Sequence, residues 1–292
     1  MQSSALNSDL HICIAGPGLL GGSIALGIQK HLPNASLSIW ARREEARQEL
    51  RDRGFAESQV FADLSESAHG ANLLILATPI GVMAHLAKEI VEHAELAEDA
   101  VVTDVGSVKG SVVAELEPIF HDRGICFIGS HPMAGSEKTG LEHSDPELLR
   151  GARCIITPTG QPDTKVQCVE SFWRSLGAST HILTPAEHDR VVARISHLPH
   201  AAASAITAAA IGSDTSPIQL SGGGFRDTTR VAAGAPEMWA EILLENQVEV
   251  LAALEDLSAN VSEILEFLRK RDQKKLAAYL ARAKELRDLL AE

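Results

Sequence analysis

His11-Ile12-Cys13-Ile14-Ala15-Gly16-Pro17-Gly18-Leu19-Leu20-Gly21 is the stretch that decides the fold. Ile12 to Ala15 is continuously apolar, as a strand covered on both faces must be. Gly16-x-Gly18-x-x-Gly21 follows directly, and Ser23–Lys30 then reads as a helix. Strand, glycine turn and helix in that order open a Rossmann-type dinucleotide-binding unit. Gly16 allows the tight turn, Gly18 lets the backbone approach a pyrophosphate, and Gly21 lets the helix pack on the strand. The helix N-terminus faces the phosphates, so Gly16, Gly18, Leu19 and Gly21 are expected to contact the cofactor.

Downstream, short apolar runs alternate with amphipathic segments, the pattern of a parallel α/β sheet. Expected strands are Ser36–Trp40, Leu73–Ala77, Val101–Asp104, Cys126–Ile128 and Cys154–Thr157. Thr78 and Pro79, which close the Leu73–Ala77 run, are placed at the cofactor site with the glycines. The end of the second strand bears on which cofactor is bound. A site for NAD usually carries Asp or Glu about 20 residues after the glycines, on the ribose hydroxyls. Here Trp40 runs into Ala41-Arg42-Arg43. Guanidinium groups match a 2′-phosphate with paired, charge-assisted donors, so NADP is favoured and NAD is the alternative. The other reading makes Arg42 and Arg43 solvated charges at a helix entry, with Glu44 and Glu45 as surface partners.

The character of the chain changes at Thr184. Thr184-Pro185-Ala186-Glu187 is a capping box with proline in the first helical position. No further strand is expected after it. The reading is α/β: a Rossmann-type parallel-sheet domain over residues 1–183, then an all-helical domain over residues 184–292. Residues 185–211 read as one alanine-rich helix kinked at Pro199, and Ser221-Gly222-Gly223-Gly224 as a flexible loop. Pro236 opens a long helix to about Lys270. Its apolar residues, among them Val250, Leu254, Leu257, Val261, Ile264 and Leu268, recur in steps of three and four with Asn246 inside the seam. A helix of about 35 residues would be about 50 Å long, more than one small domain covers. A homodimer through the C-terminal helices is therefore expected.

Composition narrows the function. Aromatics are only 4% of 292 residues, so the core must be aliphatic, which suits helices and parallel strands. A net charge of -13 argues against a general nucleic-acid binder. Cys13, Cys126, Cys154 and Cys168 have no C-x-x-C spacing and read as reduced thiols. No apolar run reaches the ~18 residues of a membrane span, and Met1 to Asp9 lack a signal pattern, so no membrane partner and a cytoplasmic location are expected.

Candidate chemistry gathers at strand ends. Asp104-Val105-Gly106-Ser107-Val108-Lys109 follows one strand, and Ser107 reads both as a helix cap and as a ligand contact. His131 follows Cys126–Ile128 and is held out of helical geometry by Pro132. An imidazole there can take a hydroxyl proton at neutral pH. His197 and His200 share one helix face; with no acid or thiol cluster to complete a ligand set, no metal is expected. In Phe225-Arg226-Asp227-Thr228-Thr229-Arg230, a guanidinium can clamp a carboxylate or form surface ion pairs.

These motifs in combination, together with Gly129-Ser130-His131-Pro132-Met133-Ala134-Gly135 and His197-Leu198-Pro199-His200, make the chain resemble the prephenate/arogenate dehydrogenases of tyrosine biosynthesis. The resemblance runs from about His11 to the C-terminal helices. It implies oxidative decarboxylation of prephenate or arogenate, with hydride passing to NADP or NAD. It further implies that His131 is the catalytic histidine on the ring hydroxyl and that Ser107 hydrogen-bonds both this histidine and the substrate. By the same resemblance Arg230 clamps a substrate carboxylate and His200 contacts the substrate side chain; His197, on the same helix face, reads from the residues as a substrate ligand or a buried helix histidine. Glu137 and Asp227 belong to a polar network at the site entrance. The chain ends soon after its last helix, so neither a fused mutase nor a regulatory domain is expected. The alternatives are another two-domain NADP oxidoreductase, of the β-hydroxyacid dehydrogenase or imine reductase type, and a non-catalytic NADP sensor.

Overall fold

In the computed structural model, residues 10–134 and 138–291 are described. Eight strands form one sheet in the order β3-β2-β1-β4-β5-β6-β7-β8. They are β1 His11–Ala15, β2 Ser36–Trp40, β3 Val60–Phe61, β4 Leu73–Leu76, β5 Val101–Asp104, β6 Cys126–Pro132, β7 Arg153–Thr157 and β8 Ser179–Ile182. All neighbours pair in parallel except β6 with β7. The order reverses between β1 and β4, and the crevice above their carboxyl ends is where ligands bind in open α/β sheets.

The sheet is sandwiched between helices. On one face Ile12, Ile14, Ile39 and Ile75 pack with α1 (Leu19–His31) and α6 (Asp163–Ser175), which contributes Phe172 and Trp173. On the other face Cys13, Leu74, Leu76 and Val102 pack with α4 (Ile80–His93) and α5 (Gly110–His121). Two short helices, α2 (Glu44–Asp52) and α3 (Leu64–Ala68), complete the layers. This is the aliphatic, doubly covered sheet that the composition requires.

β6 runs four residues beyond the expected Cys126–Ile128. Its first half pairs with β5 and its second half, Gly129–Pro132, pairs antiparallel with β7, with His131 opposite Ile155. His131 thus lies within a strand rather than in a loop. The extended geometry imposed on a residue before proline suits that position.

Thr184 forms the expected capping box: its hydroxyl accepts from the Glu187 N–H at 3.2 Å, and the Glu187 carboxylate accepts from the Thr184 N–H at 2.9 Å. The alanine-rich segment is not one kinked helix. α7 (Pro185–Val192) passes into a π turn, Ala193–His197, and then into α8 (Leu198–Ile211). Pro199 has no N–H for a normal helical bond and its ring crowds the carbonyl four residues back. The wider π turn accommodates that mismatch and re-aims the residues around it.

The triple glycine is not all loop, since α9 (Gly223–Thr229) starts inside it. α10 (Pro236–Glu245) stops at Asn246, where the sequence suggested a continuous helix. There the Asn246 amide donates to the Asp189 carbonyl at 2.9 Å, a tertiary bond that local sequence does not announce. By contact density the chain forms two compact units, up to Asn246 and from Gln247 onward. The second unit is a helical hairpin, α11 (Gln247–Lys270) and α12 (Gln273–Asp288), joined by an Asp272 cap and a Phe267–Tyr279 ring contact.

Candidate active site

The cofactor turn has the geometry that its sequence implies. Gly16 sits at φ +105°, where a Cβ would come within 2.7 Å of Thr78 Cγ2. At Gly21 a Cβ would strike the Gly16 carbonyl. Gly18 differs: an added Cβ meets no protein atom within 4 Å, so packing does not demand glycine there. The open space there is compatible with the close backbone approach of a pyrophosphate. Thr78 Oγ1 is buried without a hydrogen-bond partner, and Pro79 caps α4 beside it. An orphaned hydroxyl beside the glycine turn fits a nucleotide that supplies its missing partner.

Arg42 and Arg43 are exposed just past the end of β2. Glu44 does not pair with either of them. It holds Arg47 and Arg51, and Arg47 in turn donates to the Ala41 and Arg42 carbonyls at 2.6 and 3.0 Å. Among the described residues neither Arg42 nor Arg43 has an ion pair.

The catalytic candidates converge at the carboxyl ends of β5 and β6. Asp104 and Lys109, both fully buried, form an ion pair. Asp104 also accepts from the N–H groups of Gly106 (2.8 Å) and Ser130 (3.1 Å), and Ser130 Oγ donates back to the Asp104 carbonyl at 2.6 Å. This knot fixes the Ser107 loop against the strand that carries His131. Burial pushes the Lys109 ammonium down from its usual pKa against the opposing pull of Asp104. Ser107 does not cap α5. The helix end is capped from a distance by Asp189, whose carboxylate accepts from the N–H groups of Lys109 and Gly110, each at 2.8 Å.

His131 is buried, and its Nδ1 lies 2.8 Å from His188 Nε2. Burial, then the neighbouring His188, Lys109 and His197, hold its pKa well below the ordinary value. It is therefore a neutral base at physiological pH. His197 closes the π turn, with Nδ1 3.2 Å from the Asn246 amide nitrogen and Nε2 buried without a hydrogen bond. Burial, then His188, lower its pKa to about 4, although Asp189 and the Ser107 backbone pull the other way. His200, one turn along α8, stacks on Trp239 with centroids 3.6 Å apart and leaves Nδ1 buried and unpartnered. Its neighbour in space is the Val231 backbone, next in sequence to Arg230. Arg230 and Asp227 are exposed, and Glu137 lies outside the described residues. Among the described residues no three His, Cys, Asp or Glu side chains are placed to hold a metal ion.

The structure thus gathers His131, His197, His200 and the Ser107 loop. It adds His188, Asp189, Asn246 and Trp239, which the sequence reading missed. His188 and Asp189 follow directly on the Thr184 capping box, but nothing nearby in sequence marks them as more than helix residues.

The buried histidines give a pH prediction. In the unfolded chain they take up protons below about pH 6.5, whereas in the fold they resist them. The unfolded state then binds more protons, so stability falls as pH drops from about 6.5 towards His197's folded value near 4. Urea midpoints measured between about pH 7 and pH 4.5 should decline across that window. A flat profile would contradict neutral burial.

The chain matches the prephenate dehydrogenase nucleotide-binding domain over residues 24–190 and the prephenate dehydrogenase dimerization domain over residues 184–282. The chain belongs to the prephenate dehydrogenase family. It is 34% identical to the prephenate dehydrogenase of Lactococcus lactis subsp. cremoris over 282 residues, 96% of this chain and 77% of the relative. Its fold is similar to prephenate dehydrogenase from A. aeolicus in complex with hydroxyphenyl propionate and NAD+, with TM-score 0.87, 30% identity and coverage of 96% and 98% of the two chains. It is also similar to Synechocystis arogenate dehydrogenase, with TM-score 0.79, 28% identity and coverage of 96% and 100%. The chain is an NAD(P)-dependent dehydrogenase with a Rossmann-type sheet domain followed by a helical one. No described helix is long and apolar enough to cross a membrane.

Proposed function

We propose that this enzyme oxidatively decarboxylates prephenate or arogenate, with NADP as the preferred cofactor. The observation that carries the reading is the neutral, buried His131 at the carboxyl edge of the sheet, on the same edge as the glycine turn. Gly16, Gly18, Leu19, Gly21, Thr78 and Pro79 would hold the dinucleotide, and bound NAD(P) supplies the hydride acceptor. His131 takes the proton of the ring hydroxyl as a carbonyl develops. Ser107 and His200 orient the substrate, His197 backs them, Arg230 meets its carboxylate, and Asp227 and Glu137 belong to a polar network at the site entrance. Orientation and proton handling are the protein's main contributions. The functional division falls near residue 184, with the nucleotide held before it and substrate contacts and dimerisation after it. The enzyme works in the cytoplasm on a small-molecule substrate, without nucleic acid or membrane.

Prephenate and arogenate differ in a keto versus an amino group. Side-by-side kcat/KM values with both cofactors test the proposal and rank the substrates. Arg42 and Arg43 support NADP because Glu44 is committed elsewhere. Each charge-assisted contact to a 2′-phosphate adds about 1.5–3 kcal/mol, so a preference of at least about tenfold is expected. Replacing both arginines with alanine should erase it through KM for NADP and leave NAD kinetics nearly unchanged. A wild type that prefers NAD would refute the cofactor assignment.

The C-terminal hairpin supports a homodimer. Val248, Leu251, Leu268, Leu280 and Leu286 are each more than half exposed, an apolar load that favours association. Sedimentation should give twice the chain mass, and a monomer at micromolar concentration would contradict it.

A further inference from the structure

We infer that His188 and Asp189 form a proton-ordering relay that fixes His131 as the Nδ1–H tautomer, so that its Nε2 is the basic atom offered to substrate. The inference rests on the reading of His131 as the base and adds which atom acts and what sets it.

The geometry leaves one assignment. Asp189 is anchored by two backbone N–H donors, from Lys109 and Gly110, at 2.8 Å each. Burial alone would raise its pKa. The bonds from His188 and those N–H groups outweigh burial and hold the carboxyl below its usual value, so it is an ionised acceptor. His188 Nδ1 lies 2.8 Å from Oδ1, the oxygen that also accepts from the Lys109 N–H, and must donate. A neutral imidazole that donates from Nδ1 accepts at Nε2. His188 Nε2, 2.8 Å from His131 Nδ1, therefore accepts, and His131 carries its proton on Nδ1. Its lone pair is left on Nε2.

The same chain stabilises the product of proton transfer. When the substrate O–H bond breaks, its proton forms the Nε2–H bond of His131, and the imidazolium shares its charge through Nδ1–H with His188 and the Asp189 carboxylate beyond. His188 is fully buried, so water cannot replace it as acceptor. His188 touches neither solvent nor the substrate side of His131, which makes it a positioning residue. The relay spans 57 residues between its two histidines and depends on α7, which carries His188 and Asp189 and packs on α5 and β7.

Two measurements test this. In uniformly 15N-histidine-labelled wild-type enzyme, the His131 resonances, assigned with His131→Asn, should show protonated Nδ1 and unprotonated Nε2. An Nε2–H tautomer would overturn the relay whether or not the enzyme turns over prephenate, which keeps this failure separate from failure of the functional reading. His188→Phe keeps a ring but removes the acceptor. It should lower kcat by at least about a hundredfold while KM and cofactor affinity stay within about threefold. His188→Gln, whose amide oxygen can accept from Nδ1–H, should recover about tenfold of that loss. If His188→Phe keeps kcat within about threefold of wild type, or if the glutamine and phenylalanine variants are equally slow with wild-type His131 resonances, the relay is refuted.

Discussion

His131→Asn is expected to bind NAD(P) like the wild type and to lose about a hundred- to ten-thousandfold in kcat, the usual span for a positioned general base. The side chain sits in a strand, buried, with one nitrogen held by His188. Asparagine fits that space and can still hydrogen-bond, but it takes up no proton near neutral pH. The glycine turn and Thr78 are untouched, so cofactor affinity should not change. Stopped-flow or steady-state kinetics with a fluorescence titration of the reduced cofactor read both quantities. A variant within about threefold of wild-type kcat would remove His131 from the chemistry.

Lys109→Met should be the most destabilising single change in the site. It leaves Asp104 buried with its two backbone donors but without the ammonium that neutralises it. Breaking a buried pair from one side typically costs about 3–5 kcal/mol, because the remaining charge is uncompensated. Methionine fills most of the lysine volume, which keeps a cavity from confounding the result. Urea unfolding at neutral pH should show a lower midpoint at unchanged slope. A loss below about 1 kcal/mol would mean that Asp104 is satisfied by its N–H donors alone.

Much of this enzyme is legible in sequence because the signals are local. Gly16, Gly18 and Gly21 answer to contacts within one turn and its neighbouring strand, and Thr184 with Glu187 closes a box over three residues. The strand runs are continuous because both faces of the sheet are covered. The missed features all rest on partners far away along the chain. Asp189 caps a helix 80 residues upstream, so Ser107 looked like the cap that local rules require. Asn246 breaks a helix whose periodicity runs straight through it, because its amide is drawn to the Asp189 carbonyl. The π turn before Pro199 is hidden by an alanine-rich segment in which every helical face looks alike. The sequence ends the strand at Ile128, before His131, because the pairing that extends it is with β7, which runs antiparallel to β6 in an otherwise parallel sheet. His188, meanwhile, looked like any helix histidine. The sequence motifs named His131, Ser107 and His200 as candidates; the hydrogen-bond chain around His131 emerges only from tertiary packing.

The central claim is that His131 and its cofactor site remove hydride and carbon dioxide from one substrate in a coupled step. The most direct measurement follows reduced cofactor and released carbon dioxide together, with prephenate and then arogenate as substrate. One carbon dioxide for each cofactor reduced, with at least one of the two substrates and abolished together in His131→Asn, is the predicted result. Cofactor reduction without decarboxylation, or no turnover of either substrate with either NADP or NAD, would contradict it.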